Sequence, residues 1–262
     1  MKSVESTLEI TTVAGCRVAC QVCPQDTFLK VYRGPRMLSF ETFVACVDKV
    51  PDWVQIDFSG FSEPWLNESC SDMVEYAAKR HDVYVYTTLT GMSKSDAQRV
   101  ARVRPKLLGI HIRDVDDKSP IHDVDLSLSH ILNPTEYISH GLPHEEVVPQ
   151  LLPGVRVSLC QLHSRGGLNW SVPYRSGPLR CSSTRRFRHN VLLPSGEVLL
   201  CCTDYGMKHR LGNLLHNTYE SLFVGEYERI KSGSEHDIGD ILCRRCEIAE
   251  SLPPQKSMVS NG

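Results

Sequence analysis

The sequence predicts an α/β protein: a parallel sheet from six alternating strand–helix units, followed by a small unit of one β-hairpin and one helix. Three observations carry this. Between residues 8 and about 165, short β-branched runs alternate with stretches whose apolar residues recur at helical spacing. Near residue 188 that rhythm gives way to two strands around the turn Pro194-Ser195-Gly196-Glu197. The eleven cysteines fall in groups and not as an evenly spaced disulfide framework: Cys16, Cys20 and Cys23 follow the first strand, and Cys181, Cys201, Cys202, Cys243 and Cys246 surround the hairpin.

Taken in order, residues 8–13 read as the first strand. Ser39 caps a helix through Val50, with Phe40, Phe43, Val44 and Val47 at helical spacing. Residues 53–59 read as the second strand, 70–79 as the next helix and 83–89 as the third strand. Ser93 caps a helix through Val103, and residues 107–112 form the fourth strand. Residues 114–125 are polar and proline-interrupted, so a helix there is missing or vestigial. Residues 125–132 read as the fifth strand, 135–152 as one broken helix and 155–162 as the sixth strand. Beyond the hairpin strands, 188–193 and 198–202, an amphipathic helix is expected near 218–231. Strand–helix alternation implies right-handed crossovers.

Composition narrows the function classes. A net charge of −2 gives no electrostatic footprint for nucleic acid or an anionic membrane surface, and no run reaches the length of a membrane span. Met1-Lys2-Ser3-Val4-Glu5-Ser6 has neither the apolar core nor the cleavage site of a signal peptide. Reduced thiols and a cytoplasmic location are therefore expected. The tail at 251–262 reads as flexible.

The chemistry lies in the two cysteine groups. Cys16-x3-Cys20-x2-Cys23 is tight enough to hold a soft metal centre, and three thiolates leave one iron of a 4Fe–4S cube without a protein ligand. A zinc site or a buried turn is the plainer reading of the same residues. In the second group, Cys243-x2-Cys246 taken alone favours zinc, yet a zinc ribbon usually opens with another close pair, and here the remaining cysteines are far apart. Cys201 and Cys202 are neighbours on one strand and point to opposite faces, so only one is expected to be a ligand. Cys46, Cys70 and Cys160 read as small buried hydrophobes.

The first spacing, placed after the first strand, closely resembles the signature of the radical S-adenosylmethionine (SAM) superfamily. The order Cys181, Gly196-x4-Cys201, Leu211-Gly212-Asn213, helix, Cys243-x2-Cys246 resembles the C-terminal SPASM/twitch domain, in its shorter twitch form. The resemblance implies a partial (β/α)6 TIM-like barrel over 1–170 and a small cluster-binding unit over 171–250. It also implies two 4Fe–4S clusters, on Cys16/Cys20/Cys23 and on Cys181/Cys201/Cys243/Cys246, with SAM on the open iron of the first. The spacing from Gly196 favours Cys201, with Cys202 as runner-up.

In such proteins the segment after the second strand binds the SAM methionine moiety; here it reads Ser59-Gly60-Phe61-Ser62-Glu63-Pro64, with Ser62 where glycine is more usual. Val22 likewise replaces the frequent aromatic before the third cysteine. Thr88, Arg113 and His130 suit contacts to SAM or substrate from strand ends, and suit solvated loops as well. His163 and Arg165, in a polar Gly-rich segment after the sixth strand, are candidates for substrate binding or proton transfer, or for pinning the linker.

The implied activity is hydrogen abstraction from a small polar substrate (a sugar, aminocyclitol or nucleoside), with the auxiliary cluster accepting an electron in a net oxidation. An external one-electron reductant of flavodoxin or ferredoxin type would serve the first cluster. Absence of room for a peptide-recognition domain favours the small molecule. Peptide modification or epimerisation with a separate recognition partner, and a non-catalytic iron–sulfur or zinc module, are the alternatives.

Overall fold

The computed structural model of the chain describes residues 6–18, 20, 22–116, 125–182 and 187–253. Its first half runs β1 (Thr7–Ile10), α1 (Gln25–Val31), α2 (Phe40–Val47), β2 (Gln55–Phe58), α3 (Cys70–Ala77), β3 (Val83–Thr87), α4 (Lys94–Val103) and β4 (Leu107–His111). Then follow α5 (Ser129–Leu132), β5 (Glu136–Ser139), β6 (Arg156–Leu159), β7 (Leu179–Cys181), β8 (His189–Leu192), β9 (Glu197–Leu199), β10 (Arg210–Asn213), α6 (Glu226–His236) and β11 (Ala249–Ser251). Strands β1 to β6 lie side by side in sequence order, all parallel.

Alternation within each strand makes two environments. Leu8, Ile10, Ile56, Phe58, Val83, Val85, Leu108 and Ile110 pack against Phe43, Val47, Met73, Val74, Ala97 and Val100 of the helices in one continuous core. The intervening residues Glu9, Tyr86 and His111 line a cavity on the other face. A charged residue in a parallel strand costs several kcal/mol unless paired, so its presence there marks the inner wall. Both predicted helix caps form: Ser39 Oγ accepts from Thr42 N at 3.1 Å, and Ser93 makes a reciprocal capping box with Asp96.

Two readings of the sequence are corrected. Residues 125–132 are helical, not a strand, and the fifth strand lies inside the segment expected to be helix. Asp125 Oδ1 accepts from Ser127 N at 3.0 Å and starts a 3-10 turn over Leu126–Leu128 that runs into α5, which ends at Asn133 in the left-handed region (φ +48°). The Leu126/Leu128 alternation is too short to separate the two periods. The helix expected at 218–231 is divided by Gly225 (φ +62°) into a 3-10 turn, Glu220–Phe223, and α6, which runs five residues further. α1 was not foreseen.

The hairpin forms as expected, with Val191 opposite Leu199 and Leu192 opposite Val198. It does not stand apart from the barrel sheet. β8 pairs in parallel with β1, Glu9 opposite Val191, so the described residues contain one nine-stranded sheet in the order β10-β9-β8-β1-β2-β3-β4-β5-β6. A second apolar cluster (Ala14, Phe28, Tyr32, Phe61, Val191, Leu193, Leu199, Tyr205 and Met207) joins the hairpin to the first cysteine loop, with Cys23 and Cys202 against it. β7 and β11 form a separate two-stranded ribbon. Among the described residues no helix is long and apolar enough to cross a membrane. Residues 254–262 of the expected tail, and 117–124 of the polar stretch after β4, lie outside the described residues.

Candidate active site and cysteine centres

Parallel strands bring the loops after their C-terminal ends together. The cavity there has a volume of about 550 Å³, within the range of small-molecule sites. Cys16, Cys20 and Cys23, in the loop after β1, all line it and are all half-buried. Burial raises the Cys16 thiol pKa, and the Glu63 N–H at 3.4 Å from its sulfur works the other way. Cys23 Sγ lies 3.5 Å from Tyr205 Oη and 3.5 Å from Gln25 Nε2. The Cys23 thiol donates to the Tyr205 hydroxyl, while Gln25 Nε2 donates to the sulfur; a donor of the second kind stabilises thiolate sulfur, as a cluster ligand needs.

Ser59, Gly60, Phe61, Ser62 and Glu63 form the next wall. Gly60 sits at φ +51°, and a Cβ there would meet Ile10 O and Thr11 Oγ1 at 2.6 Å, so no side chain fits. Phe61 N donates to Thr11 Oγ1 (3.0 Å) and Val13 N donates to Ser62 Oγ (3.2 Å), locking the segment to the end of β1. Ser62 thus does a bonding job that glycine could not. The buried Glu63 carboxylate accepts from Thr87 Oγ1 (2.5 Å), Thr88 N (2.7 Å) and Thr88 Oγ1 (2.9 Å). Burial outweighs these bonds and pushes its pKa up to about 7. The Ser59 hydroxyl oxygen is buried without a partner.

The remaining predicted residues divide. Thr88, Arg113 and Arg165 line the cavity; Arg113 Nη2 is 3.7 Å from Glu146 Oε2. Arg165 lies over the Tyr205 ring at 5.7 Å and donates to the Cys202 carbonyl at 3.4 Å. His130 is outside: it is exposed in the last turn of α5, because its segment is helical. His163 is outside as well. Its Nδ1 is 3.6 Å from Glu247 Oε1, and the same carboxylate accepts from Ser164 N and Oγ, so this segment is pinned beside Cys246.

Sequence reasoning missed Tyr205, which stacks on Phe61 (ring centroids 3.9 Å) under Cys23. It also missed Glu9 and His111 on the inner wall; a charge or imidazole inside an otherwise apolar parallel strand was the available signal. Burial, then His140 and then Arg165, pull the His111 pKa down to about 4, so its imidazole is neutral.

The second cysteine group lies away from that cavity. Cys181 ends β7, Cys201 follows β9, Cys243 lies within the 3-10 turn Leu242–Arg245, and Cys246 caps it. Cys243 and Cys246 are buried. Burial pushes the Cys243 thiol up to about 12, reinforced by the neighbouring Cys246 and Cys181; Cys201, raised chiefly by burial, also feels Cys243. Thr203 Oγ1 lies 3.0 Å from Cys201 Sγ. Cys202 turns the other way and lines the cavity with Glu9 and Arg165.

Two devices hold this group. The fully buried Arg244 donates to Arg175 O (2.9 Å), Gly177 O (2.9 Å) and Gly233 O (2.8 Å) and meets Asp237 Oδ1 at 2.9 Å. His209 Nε2 accepts from Leu242 N at 2.9 Å while Nδ1 bonds Glu226 Oε1 at 2.8 Å. The first bond fixes the tautomer, so Nδ1 carries the proton.

The residues fit iron–sulfur clusters on two counts: three thiols share one cavity with a cradle that a Cβ at residue 60 would fill, and four others cluster away from it. The comparisons agree. Residues 181–247 match the SPASM iron–sulfur cluster-binding domain model. The crystal structure of BtrN in complex with AdoMet and 2-DOIA superposes with a TM-score of 0.65 at 18% identity, over 94% of each chain. Native anSMEcpe with bound AdoMet gives 0.56 at 16% identity, over 92% of this chain and 86% of that one. Streptococcus suis SuiB bound to the precursor peptide SuiA gives 0.62 at 13% identity, over 94% and 70%. No curated protein matches in sequence. Residues 181–247 thus resemble the SPASM iron–sulfur cluster-binding domain, and the chain shares its α/β fold with BtrN, anSMEcpe and SuiB.

Proposed function

We propose that this chain is a radical SAM oxidoreductase that removes two electrons and two protons from a small, hydroxylated substrate. The observation that carries this is the single cavity in which Cys16, Cys20 and Cys23 face the Ser59–Glu63 wall and the polar side chains Glu9, His111, Arg113 and Arg165. Cys16, Cys20 and Cys23 would hold one 4Fe–4S cluster; Cys181, Cys201, Cys243 and Cys246 a second. When bound, the first cluster and SAM supply the hydrogen-abstracting radical, and the second accepts an electron. An external one-electron donor of flavodoxin or ferredoxin type is required.

The chain's own residues then position and deprotonate. Gly60 and Ser62 shape the backbone against which the methionine moiety would lie, and Glu63 holds that backbone to Thr87 and Thr88. A hydroxyl on a carbon losing its second electron becomes strongly acidic, so even a weak base suffices. His111, neutral and on the cavity wall, takes that role in place of His163, which lies outside. Arg165 is a positioning group, since a guanidinium stays protonated.

Similarity to BtrN, whose complex holds AdoMet and 2-DOIA and which this chain matches over nearly its whole length, supports the small-molecule reading. Similarity to SuiB with its precursor peptide favours peptide modification as the competitor. Incubation of the reduced, cluster-loaded protein with candidate polyols decides. The expected product is two mass units lighter than substrate and equimolar with 5′-deoxyadenosine. An epimer of unchanged mass, or turnover of peptides alone, would reject the oxidation reading.

A further inference from the structure

Glu9, His189 and Cys202 converge on one point of the cavity wall. A carboxylate oxygen of Glu9, a ring nitrogen of His189 and the sulfur of Cys202 all lie within 4.8 Å of one another. Topology makes this meeting. β1 and β8 are parallel neighbours, with Thr7 opposite His189 and Glu9 opposite Val191, so Glu9 and His189 share a face two positions apart. β9 runs antiparallel and delivers Cys202 back toward the same level. Glu9 and Cys202 both line the cavity. His189 Nε2 is 2.6 Å from Glu9 Oε1.

We propose that these three side chains form a binding site for one zinc-type divalent cation, separate from both cysteine clusters, with its fourth position open to the cavity. The donor set is one carboxylate oxygen, one imidazole nitrogen and one thiolate sulfur. That mixture suits a borderline-soft ion of zinc type and disfavours magnesium or calcium, which take oxygen donors alone. Three protein ligands with a vacancy are the pattern of a reactive zinc site, whereas structural zinc takes four. Bonds of about 2.0–2.3 Å place tetrahedral donors roughly 3–4 Å apart, so the Glu9–His189 pair, now 2.6 Å apart, must open slightly to admit the ion while Cys202, within 4.8 Å of both, completes the set.

Charge also balances. Glu9 and a deprotonated Cys202 contribute two negative charges against the cation's two positive ones. Arg165, the neighbouring cation, donates to the Cys202 carbonyl, lies over the Tyr205 ring and is felt by the Cys202 thiol and Glu9 as well. The open position would take a water or a substrate hydroxyl, which deepens the proposed function by tying a hydroxylated substrate to the radical cavity. The inference rests on that reading in one respect: Cys202 must be free of the auxiliary cluster.

The test uses anaerobic protein with both cysteine sites already loaded with iron and sulfide, given one equivalent of zinc and desalted. Zinc K-edge absorption should show one retained zinc per chain with one sulfur near 2.3 Å and the remainder nitrogen or oxygen near about 2.0–2.1 Å, with the iron content unchanged. No retained zinc, or a shell of four sulfurs, overturns the site. Cys202→Ser should weaken zinc retention, measured by chelator competition, about a hundredfold, since outer-shell losses alone cost 10–100-fold, and should leave the auxiliary-cluster absorbance intact. Glu9→Gln should weaken retention similarly while keeping the single sulfur. Unchanged zinc affinity in Cys202→Ser with an intact cluster refutes the zinc site alone. Loss of the auxiliary cluster in Cys202→Ser refutes the ligand assignment, and with it the freedom of Cys202 on which this site depends.

Discussion

The two cysteine groups are built on opposite plans. Cys16, Cys20 and Cys23 occupy a single loop, half-exposed to a cavity and steadied by bonds from Glu63 N and Gln25 and by Tyr205. Cys181, Cys201 and the pair Cys243/Cys246 come from three places in the chain and are drawn together by the buried Arg244 and by His209. A site that must exchange a ligand needs an open face, and its cysteines can be local because the backbone loop is enough to space them. A site that only passes electrons is better closed, and closure needs contacts of high sequence separation. Openness and closure are thus properties of what surrounds the sulfurs, not of the sulfurs.

The harshest way to break the comparison is to remove the open group. Cys16, Cys20 and Cys23 changed together to Ala should abolish SAM cleavage in dithionite-reduced protein while a C-terminal cluster persists in the absorption spectrum. Residual deoxyadenosine at the parent rate would mean that the open iron lies elsewhere. Next is the clamp of the closed group. Arg244→Met leaves the carbonyls of Arg175, Gly177, Gly233 and Gly239 without their donor, and stranding a buried acceptor costs about 1–3 kcal/mol. A Tm drop accompanied by loss of the C-terminal cluster alone is expected; equal loss of both clusters would make Arg244 a general fold residue.

A finer distinction separates the neighbours on the hairpin. Cys201→Ala should lose the auxiliary cluster's signature and Cys202→Ala should keep it, because the two side chains point into the two different regions. The reverse outcome would exchange their roles. The smallest effect concerns pH. His111 is depressed to about 4 by burial, by His140 and by Arg165, so its neutral form stabilises the fold above the unfolded pKa of about 6.5. That stability is lost as pH falls from about 6.5 through 4. His111→Phe should flatten the stability profile across this window in denaturant titrations; an unchanged slope would place the acid sensitivity on other groups.

Much of the fold and of the first cysteine site is legible in the sequence. The alternation that makes β1 to β4, the Ser39 and Ser93 caps, the hairpin and the spacing of Cys16, Cys20 and Cys23 are local features. They depend on side-chain period, capping chemistry and a few residues of loop, all written within one stretch of chain. Residues 125–132 failed for the same reason: two leucines in alternation leave the period undetermined, and Asp125 and Asn133 decided for helix through their side-chain bond and left-handed backbone.

What lay beyond the sequence was the meeting of distant segments. No local pattern says that β8 pairs with β1, and yet that pairing sets Glu9 beside His189 and turns Cys202 into the cavity. Nor could spacing show that His163 is held by Glu247 outside the cavity or that Tyr205 stacks beneath Cys23. The sequence by itself determined which residues can bear thiolate chemistry and in which order the strands and helices arise, because these follow from local geometry. Which of those residues face one another was decided only by tertiary structure, because the burial and pairing energies that choose between faces arise between segments more than eighty residues apart.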